Sequence, residues 1–181
     1  MKTKSRIKTM TTIAVSTAII SLLGPHAIPI PFSPAPIALC MFGIYIAAYA
    51  LGSKLALAAT GIYLLLGLAG VPVFSPKAGV GPSAFAGATG GYLIGYLPLA
   101  FFAGLFIEKF EKNYKMHVVG IVIGLAICYA LGAPWLAHVM HYENFWVGLV
   151  NGVLIFLPGD VLKIILAMVV GIPLRRALKR I

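Results

Sequence analysis

The stretch that decides the fold runs from residue 91 to residue 133 and reads GYLIGYLPLAFFAGLFI (91–107), EKFEKNYK (108–115) and MHVVGIVIGLAICYALGA (116–133). The outer two parts contain no Asp, Glu, Lys or Arg, whereas the middle part is strongly charged. An apolar helix of about 17–25 residues is long enough to cross the hydrocarbon core of a bilayer. The stretch therefore predicts two membrane-spanning helices joined by a charged loop.

The composition of the whole chain extends this prediction. Of the 181 residues, 61% are hydrophobic and only 10% are charged, whereas soluble domains have about 25% charged residues. A signal peptide has one short apolar stretch near the start, but here such stretches recur almost to the C-terminus. We expect a multi-pass membrane protein that contacts the lipid bilayer and folds as one domain over residues 1–181.

Six spanning helices account for the apolar stretches, so the predicted fold class is an all-α bundle of six transmembrane helices. Their approximate bounds are 11–28, 36–52, 54–70, 91–107, 116–133 and 160–174. Residues 28–37 hold four prolines and cannot continue a helix, because proline lacks the amide donor.

Two segments between the spans have distinctive compositions. Residues 71–91, between spans three and four, are rich in Gly, Pro, Ser and Thr yet fairly apolar, which predicts an ordered external loop. The apolar run from Phe145 to Leu174 is too long for one upright span. Pro158 and Gly159 favour a break there, so we expect a short external helix over about 145–157 and a last span that begins at Asp160.

The distribution of basic residues predicts the orientation. With the N-terminus inside, the cytoplasmic segments hold twelve basic residues and the external segments only Lys77. Such an excess follows the positive-inside rule. The net charge of +10 is thus explained by orientation and anionic lipid, with no nucleic-acid partner. We expect a protein of the cell membrane with both termini in the cytoplasm.

Asp160 and Lys163 are the strongest candidates for chemistry. Asp160 is the acidic residue that adjoins the membrane, and Lys163 is the basic residue that lies within a predicted span. The two are three residues apart, and positions i and i+3 share a helix face. A charge at mid-membrane costs about 2.5–3.5 kcal/mol on insertion scales, so such residues indicate function. The alternative is structural: Asp160 caps the last helix, and Lys163 neutralises it or extends to the interface.

A glycine-rich segment, Gly87–Leu93, leads into the fourth span and lies on the same predicted side as Asp160. Its Gly90 and Gly91 let backbone amides approach a ligand closely, and Thr89 and Tyr92 add hydroxyl groups. Close helix packing explains the glycines equally well. Phe74 and Lys77 lie in the loop that precedes this segment.

Ala14 and Ala18 in the first span are four residues apart, a spacing that lets two helices approach closely. The two alanines therefore serve either packing within the bundle or an interface with a partner.

His138, His141 and Glu143 are a poor match to the fixed shell of three or four ligands that zinc requires, so no metal site is predicted. The chain has no serine-hydrolase motif and no Walker motif, and we expect neither a cofactor nor catalytic activity.

Four segments, in order, resemble the BioY family, which supplies the biotin-capturing S component of energy-coupling-factor (ECF) transporters. They are residues 29–37 before span two, residues 67–74 after span three, residues 90–93 at the start of span four and residues 156–163 at the start of span six. The similarity covers nearly the whole chain and includes the six-span layout. Ala88 and Cys40 depart from it, since the family often has proline and glutamine there.

The resemblance implies a function and a set of site residues. It implies a biotin pocket near the outer surface that involves Asp160, Lys163, Gly90, Gly91 and Tyr92. It also implies assembly with a transmembrane T subunit and two ATPases, with Ala14 and Ala18 on the docking face. From the chemistry of biotin we add Thr89, Phe74 and Lys77 as candidate contacts. The alternatives are an S component for thiamine or riboflavin and an intramembrane enzyme that uses Asp160 and Lys163 as acid and base.

Overall fold

The structure is a computed structural model that describes residues 2–28, 36–142 and 144–179. Most of the proline-rich connector, Glu143 and Arg180 therefore lie outside the described residues. Eight α-helices and one short β-ribbon make up the described part. The helices are α1 Lys2–Leu23, α2 Cys40–Leu51, α3 Ser53–Leu68, α4 Pro82–Ala86, α5 Gly90–Lys109, α6 Tyr114–Val139, α7 Phe145–Leu149 and α8 Leu157–Leu178.

Three apolar helical stretches of the described chain are long enough to cross a membrane: Gly90–Lys109, Tyr114–Val139 and Trp146–Leu178. Three shorter apolar stretches, Thr9–Leu23, Cys40–Leu51 and Ser53–Leu68, lie beside them. These six stretches form the bundle, and the chain is an all-α integral membrane protein. The two quoted apolar runs, residues 91–107 and 116–133, lie within α5 and α6.

The start of the second helix is set by a contact that is distant in sequence. Residues Ile37–Ala38 pair in antiparallel fashion with Ala27–Ile28, so they form a strand (β2 with β1) instead of the first turn of a helix. Helix α2 consequently begins at Cys40 rather than near residue 36. Helix α1 ends at Leu23, earlier than the predicted bound of 28, because Gly24 and Pro25 follow and proline disfavours helix in the residue before it.

The segment from residue 71 to residue 89 is ordered by hydrogen bonds and contains α4. The amide of Gly81 donates to the carbonyl of Gly67 at 3.1 Å, and that of Ala78 donates to Ser75 at 2.8 Å. Gly79 and Gly81 have positive φ values of 85° and 68°, which glycine adopts without steric cost. The loop folds back over the end of α3 and places Val73, Phe74 and Ser75 in buried positions.

The break expected at Pro158 and Gly159 is wrong: both residues lie inside α8, and the run is helical from Trp146 to Leu178 apart from the turn at residues 155–156. Helix α7 passes into a π-helical turn, Val150–Leu154, and α8 begins at Leu157 with Pro158 in its first turn. Proline is well tolerated there, since the first amides of a helix have no helical acceptor. Asp160 therefore lies in the first turn of α8, and Lys163 follows one turn later.

Hydrogen bonds and ion pairs stabilise the end of the bundle that is remote from Asp160. The Ser53 hydroxyl donates to the Glu108 carboxylate at 2.5 Å, which joins the start of α3 to the end of α5. Arg175 near the end of α8 donates to the carbonyl of Tyr49 at 3.1 Å and lies 3.1 Å from the carboxylate of Glu111. These contacts place the charged loop 110–113 beside the C-terminus of α8.

Candidate ligand-binding site

A cavity lies among α2, α3, α5, α6 and the start of α8, under the loop that follows α3. Its wall is mainly apolar and aromatic, with a few polar groups that converge on it, which is the usual composition of a small-molecule site. The lining residues are Gly24, Pro36, Ile37, Ala38, Cys40, Met41, Tyr63, Phe74, Ser75, Ala78, Thr89, Tyr92, Leu93, Tyr96, Cys128, Tyr129, Phe156, Asp160 and Lys163.

The Asp160–Lys163 pair forms the charged part of this wall. Asp160 is 1% and Lys163 5% exposed, and the Lys163 Nζ lies 2.6 Å from Asp160 Oδ1. Lys163 also donates to the carbonyl of Ala38 at 3.3 Å and contacts the sulfur of Met41 at 3.7 Å. A buried charge is tolerated when it is paired and hydrogen-bonded, and the first turn of a helix favours a carboxylate. The pair is thus held as an ion pair at the cavity.

Tyr129 completes this group from the adjacent helix α6. Its hydroxyl donates to Asp160 Oδ2, so the tyrosine fixes the orientation of the carboxylate. Lys163 Nζ lies 2.6 Å from Oδ1 on the other side of the carboxylate. Because each carboxylate oxygen has more than one lone pair, Oδ1 can still accept an N–H group from a ligand in the cavity.

An unsatisfied polar atom lines the cavity at the start of α5. The Thr89 side chain is 9% exposed, and its Oγ1 has no hydrogen-bond partner within the described part of the chain. A hydroxyl both donates and accepts. Thr89 therefore offers a second polar contact, from a different helix than Asp160.

Aromatic rings form two faces of the cavity. Tyr92, Tyr129 and Phe156 pack together, with Tyr129 stacked on Phe156 at 6.5 Å between ring centroids and Tyr92 edge-on to both at 6.3 and 6.2 Å. Phe74 packs edge-on against Tyr63 at 5.4 Å. The Tyr92 hydroxyl donates to the Gly152 carbonyl in the π-helical turn at 2.6 Å. Rigid aromatic walls suit a compact ligand with an apolar ring.

The structure brings together five of the eight residues that the sequence suggests for the site: Asp160, Lys163, Tyr92, Thr89 and Phe74 all line the cavity. Lys77 lies exposed on the loop, outside the lining set. Gly90 and Gly91 are buried but also outside it. A Cβ on Gly90 would lie 1.8 Å from the carbonyl oxygen of Phe85, and one on Gly91 would lie 2.5 Å from that of Leu131. The two glycines thus allow close packing of α5 against its neighbours.

Ala14 and Ala18 lie on the exposed face of α1. The opposite face buries Ser16, Thr17 and Ile20 against the bundle, and Thr17 donates to the carbonyl of Ala59 in α3 at 3.2 Å. The two alanines therefore take no part in packing between α1 and the rest of the described chain.

Several wall residues were not suggested by the sequence. Tyr129, Phe156 and Cys128 occur within apolar runs, where aromatic residues and cysteine are ordinary core residues. A weak signal for Tyr129 was available, since a tyrosine in the middle of a spanning helix requires a partner for its hydroxyl. That partner is Asp160.

Comparison with known proteins agrees with this architecture. Residues 1–180 match the BioY family. The Biotin transporter BioY of Thermotoga maritima is 36% identical over 149 residues, which cover 82% of this chain and 86% of that protein. The Biotin transporter BioY of Lactococcus lactis is 34% identical over 182 residues, with 97% and 95% coverage.

One solved structure has the same fold over nearly the whole chain. It is the S-component for biotin from an ECF-type ABC transporter, with a TM-score of 0.87, 33% sequence identity and coverage of 97% of this chain and 95% of that one. The family match covers the bundle and every residue of the cavity wall. The chain belongs to the BioY family.

Proposed function

We propose that this protein binds biotin in the cavity beside Asp160 and carries it across the cell membrane as the S component of an ECF transporter. The observation that carries the proposal is the buried group of Asp160, Lys163 and Tyr129 on the wall of a mainly apolar and aromatic cavity. Relatives that bear the name biotin transporter support the choice of ligand. The protein has no catalytic activity of its own in this proposal.

The polar groups of the cavity match the ureido ring of biotin, which has two N–H donors and one carbonyl acceptor. Asp160 Oδ1 accepts a ureido N–H, and a hydrogen bond to an ionised carboxylate is the strong kind. Lys163 is the adjacent donor for the ureido carbonyl. The apolar thiophane ring then packs against Tyr92 and Phe74.

The carboxylate of biotin needs donors other than the Asp160–Lys163 pair. Thr89 supplies a hydroxyl from a different element of the same cavity wall, and the loop that holds Ser75 and Lys77 supplies backbone amides and an exposed ammonium group. The Gly90 and Gly91 amides at the start of α5 are further candidate donors in this proposal.

Mass spectrometry of the ligand released from detergent-purified protein tests the proposal directly. We expect biotin in the released fraction, and calorimetry on ligand-free protein is expected to show saturable binding of biotin. Thiamine and riboflavin serve as competitors of the same functional class. Absence of released biotin together with no heat of binding would overturn the proposal, and displacement of biotin by thiamine or riboflavin would reassign the ligand.

The transport step belongs to a larger assembly in this proposal. A transmembrane T subunit and two ATPases supply the energy, and the S component reorients in the membrane. Both termini lie in the cytoplasm, as the twelve basic residues predict. The exposed face of α1 that carries Ala14 and Ala18 docks the T subunit, because small side chains let two helices approach closely.

Replacing Ala14 and Ala18 together by leucine tests the docking face. We expect co-purification with the T subunit to fall at least several-fold while biotin binding stays unchanged, since neither alanine lines the cavity. The matched control replaces Ala126 and Ala130, which are also exposed and four residues apart, on α6. Full assembly of the Ala14→Leu/Ala18→Leu variant, or an equal loss in the control, would count against the docking role.

A further inference from the structure

A second cavity lies at the opposite end of α8 from Asp160. It is lined by Tyr49, Glu111, Tyr114, His117, Ile172, Arg175, Arg176 and Lys179. Arg175 is fifteen residues beyond Asp160, which corresponds to about 22 Å along a helix at about 1.5 Å per residue. The cavity is therefore separate from the proposed biotin site, and we call it the basic pocket.

The basic pocket has an excess of positive charge. Arg175 and Arg176 lie in the last turn of α8 and Lys179 directly follows that helix. Glu111 is the single carboxylate among the lining residues. Glu111 pairs with both Arg175, at 3.1 Å, and Lys179. Hydrogen bonds from Lys179 and Arg175 lower the pKa of Glu111 below its usual value. The pocket thus already stabilises one anionic group, supplied by the chain itself.

Some N–H donors of the basic pocket are not used by Glu111. Arg176 contacts the Tyr114 hydroxyl and lies over the Tyr114 ring at 5.7 Å, and it has no carboxylate partner within the described residues. The Nε of Arg175 is buried and has no hydrogen-bond partner in that part of the chain. Arginine donors in a planar fork match the oxygens of a phosphate group.

The position of the basic pocket indicates what reaches it. Helix α6 begins at Tyr114 and α8 ends at Leu178, so the pocket lies at the ends of two apolar helices, where the chain becomes charged and is expected to leave the membrane. Phospholipid headgroups occupy that depth, and basic pockets between helix ends bind anionic headgroups. We propose that the basic pocket binds a phosphate group, supplied by the headgroup of an anionic phospholipid, with Arg176, Lys179 and Arg175 as its donors.

Native mass spectrometry of the intact protein tests this proposal. The protein is exchanged into detergent with phosphatidylglycerol or, as the zwitterionic comparison, phosphatidylcholine, and retained lipid is counted. We expect retention of phosphatidylglycerol in the wild type and at least a fivefold loss in Arg176→Gln/Lys179→Gln. The matched control is Lys54→Gln/Lys109→Gln, which removes two exposed lysines near the same end but outside the pocket and is expected to retain the lipid.

Two further arms make the result decisive. Glu111→Gln removes the internal anion that competes for the same donors, so we expect its lipid retention to rise. Inorganic phosphate added at millimolar concentration distinguishes the sources: if it displaces the lipid or binds in its place, the site accepts free phosphate as well. Equal retention of both lipids, equal losses in both double variants, or a fall with Glu111→Gln would overturn the proposal. Calorimetry with biotin verifies that each variant is folded.

Discussion

Replacing Asp160 by asparagine is expected to lower the affinity for biotin at least tenfold, which corresponds to about 1.4 kcal/mol. The substitution removes the ionised acceptor proposed for the ureido N–H and leaves Lys163, which is 5% exposed, without its 2.6 Å counter-charge. Loss of one partner of a buried ion pair costs about 3–5 kcal/mol. We therefore expect a lower melting temperature as well. Calorimetry with biotin and a thermal-unfolding assay measure the two effects separately.

Two companion variants separate binding from folding. Asp160→Asn/Lys163→Met removes both charges, so it should recover much of the thermal stability while affinity stays low. Tyr129→Phe removes only the hydroxyl that donates to Asp160 Oδ2 and should lower affinity by less than Asp160→Asn does. If Asp160→Asn binds biotin normally, Asp160 has only a structural role, as the buried partner of Lys163 and Tyr129. If the double variant regains affinity with stability, the charges have no direct part in binding.

Gly24→Ala is expected to have the second large effect, on both stability and binding. Gly24 follows α1 and lines the cavity, and a Cβ at this position would lie 1.8 Å from the carbonyl oxygen of Val73. Because the obstacle is backbone, the loop itself must move, and Phe74 beside it must shift. Overpacking of this kind costs about 1–3 kcal/mol and occasionally more. We expect a lower melting temperature together with weaker biotin binding in calorimetry.

Gly61→Ala is the matched control for this prediction. Gly61 lies inside α3, and a Cβ there would have its nearest neighbour at 4.0 Å, the side chain of Leu97. Alanine is favoured over glycine in a helix interior by about 1 kcal/mol, so stability should stay equal or rise. A Gly24→Ala variant as stable as Gly61→Ala, with unchanged affinity, would show that the loop after α3 adapts without cost.

The lengths of the apolar runs and the positions of the charged residues between them were enough to predict much of the bundle from sequence. The uncharged runs at 91–107 and 116–133 lie within α5 and α6 because a long apolar helix has few stable environments other than a membrane. The start of α2 was placed too early for a physical reason: residues 37–38 pair with residues 27–28. A pairing across the proline-rich connector leaves no local signal in either segment.

The candidate site could be predicted in part. Asp160 and Lys163 are conspicuous because charges in an apolar run are costly. Tyr129 and Phe156 are not, since aromatic residues in spanning helices also fill cores. Gly90 and Gly91 remain candidates from sequence, but glycine serves ligand approach and helix packing alike. Only the three-dimensional neighbours, Phe85 and Leu131, reveal the close packing at these positions.

The ion pair at the start of α8 also has an electrical consequence. A charge moved across a membrane potential gains or loses about 2.3 kcal/mol for each 100 mV. Lys163 and Asp160 lie 2.6 Å apart, so in the proposed reorientation the two charges of the pair cancel and the pair itself adds no electrical work in either direction. Binding adds the single negative charge of the biotin carboxylate to the moving site. A membrane potential that is negative inside would therefore oppose the inward movement of the loaded site more than that of the same site when empty.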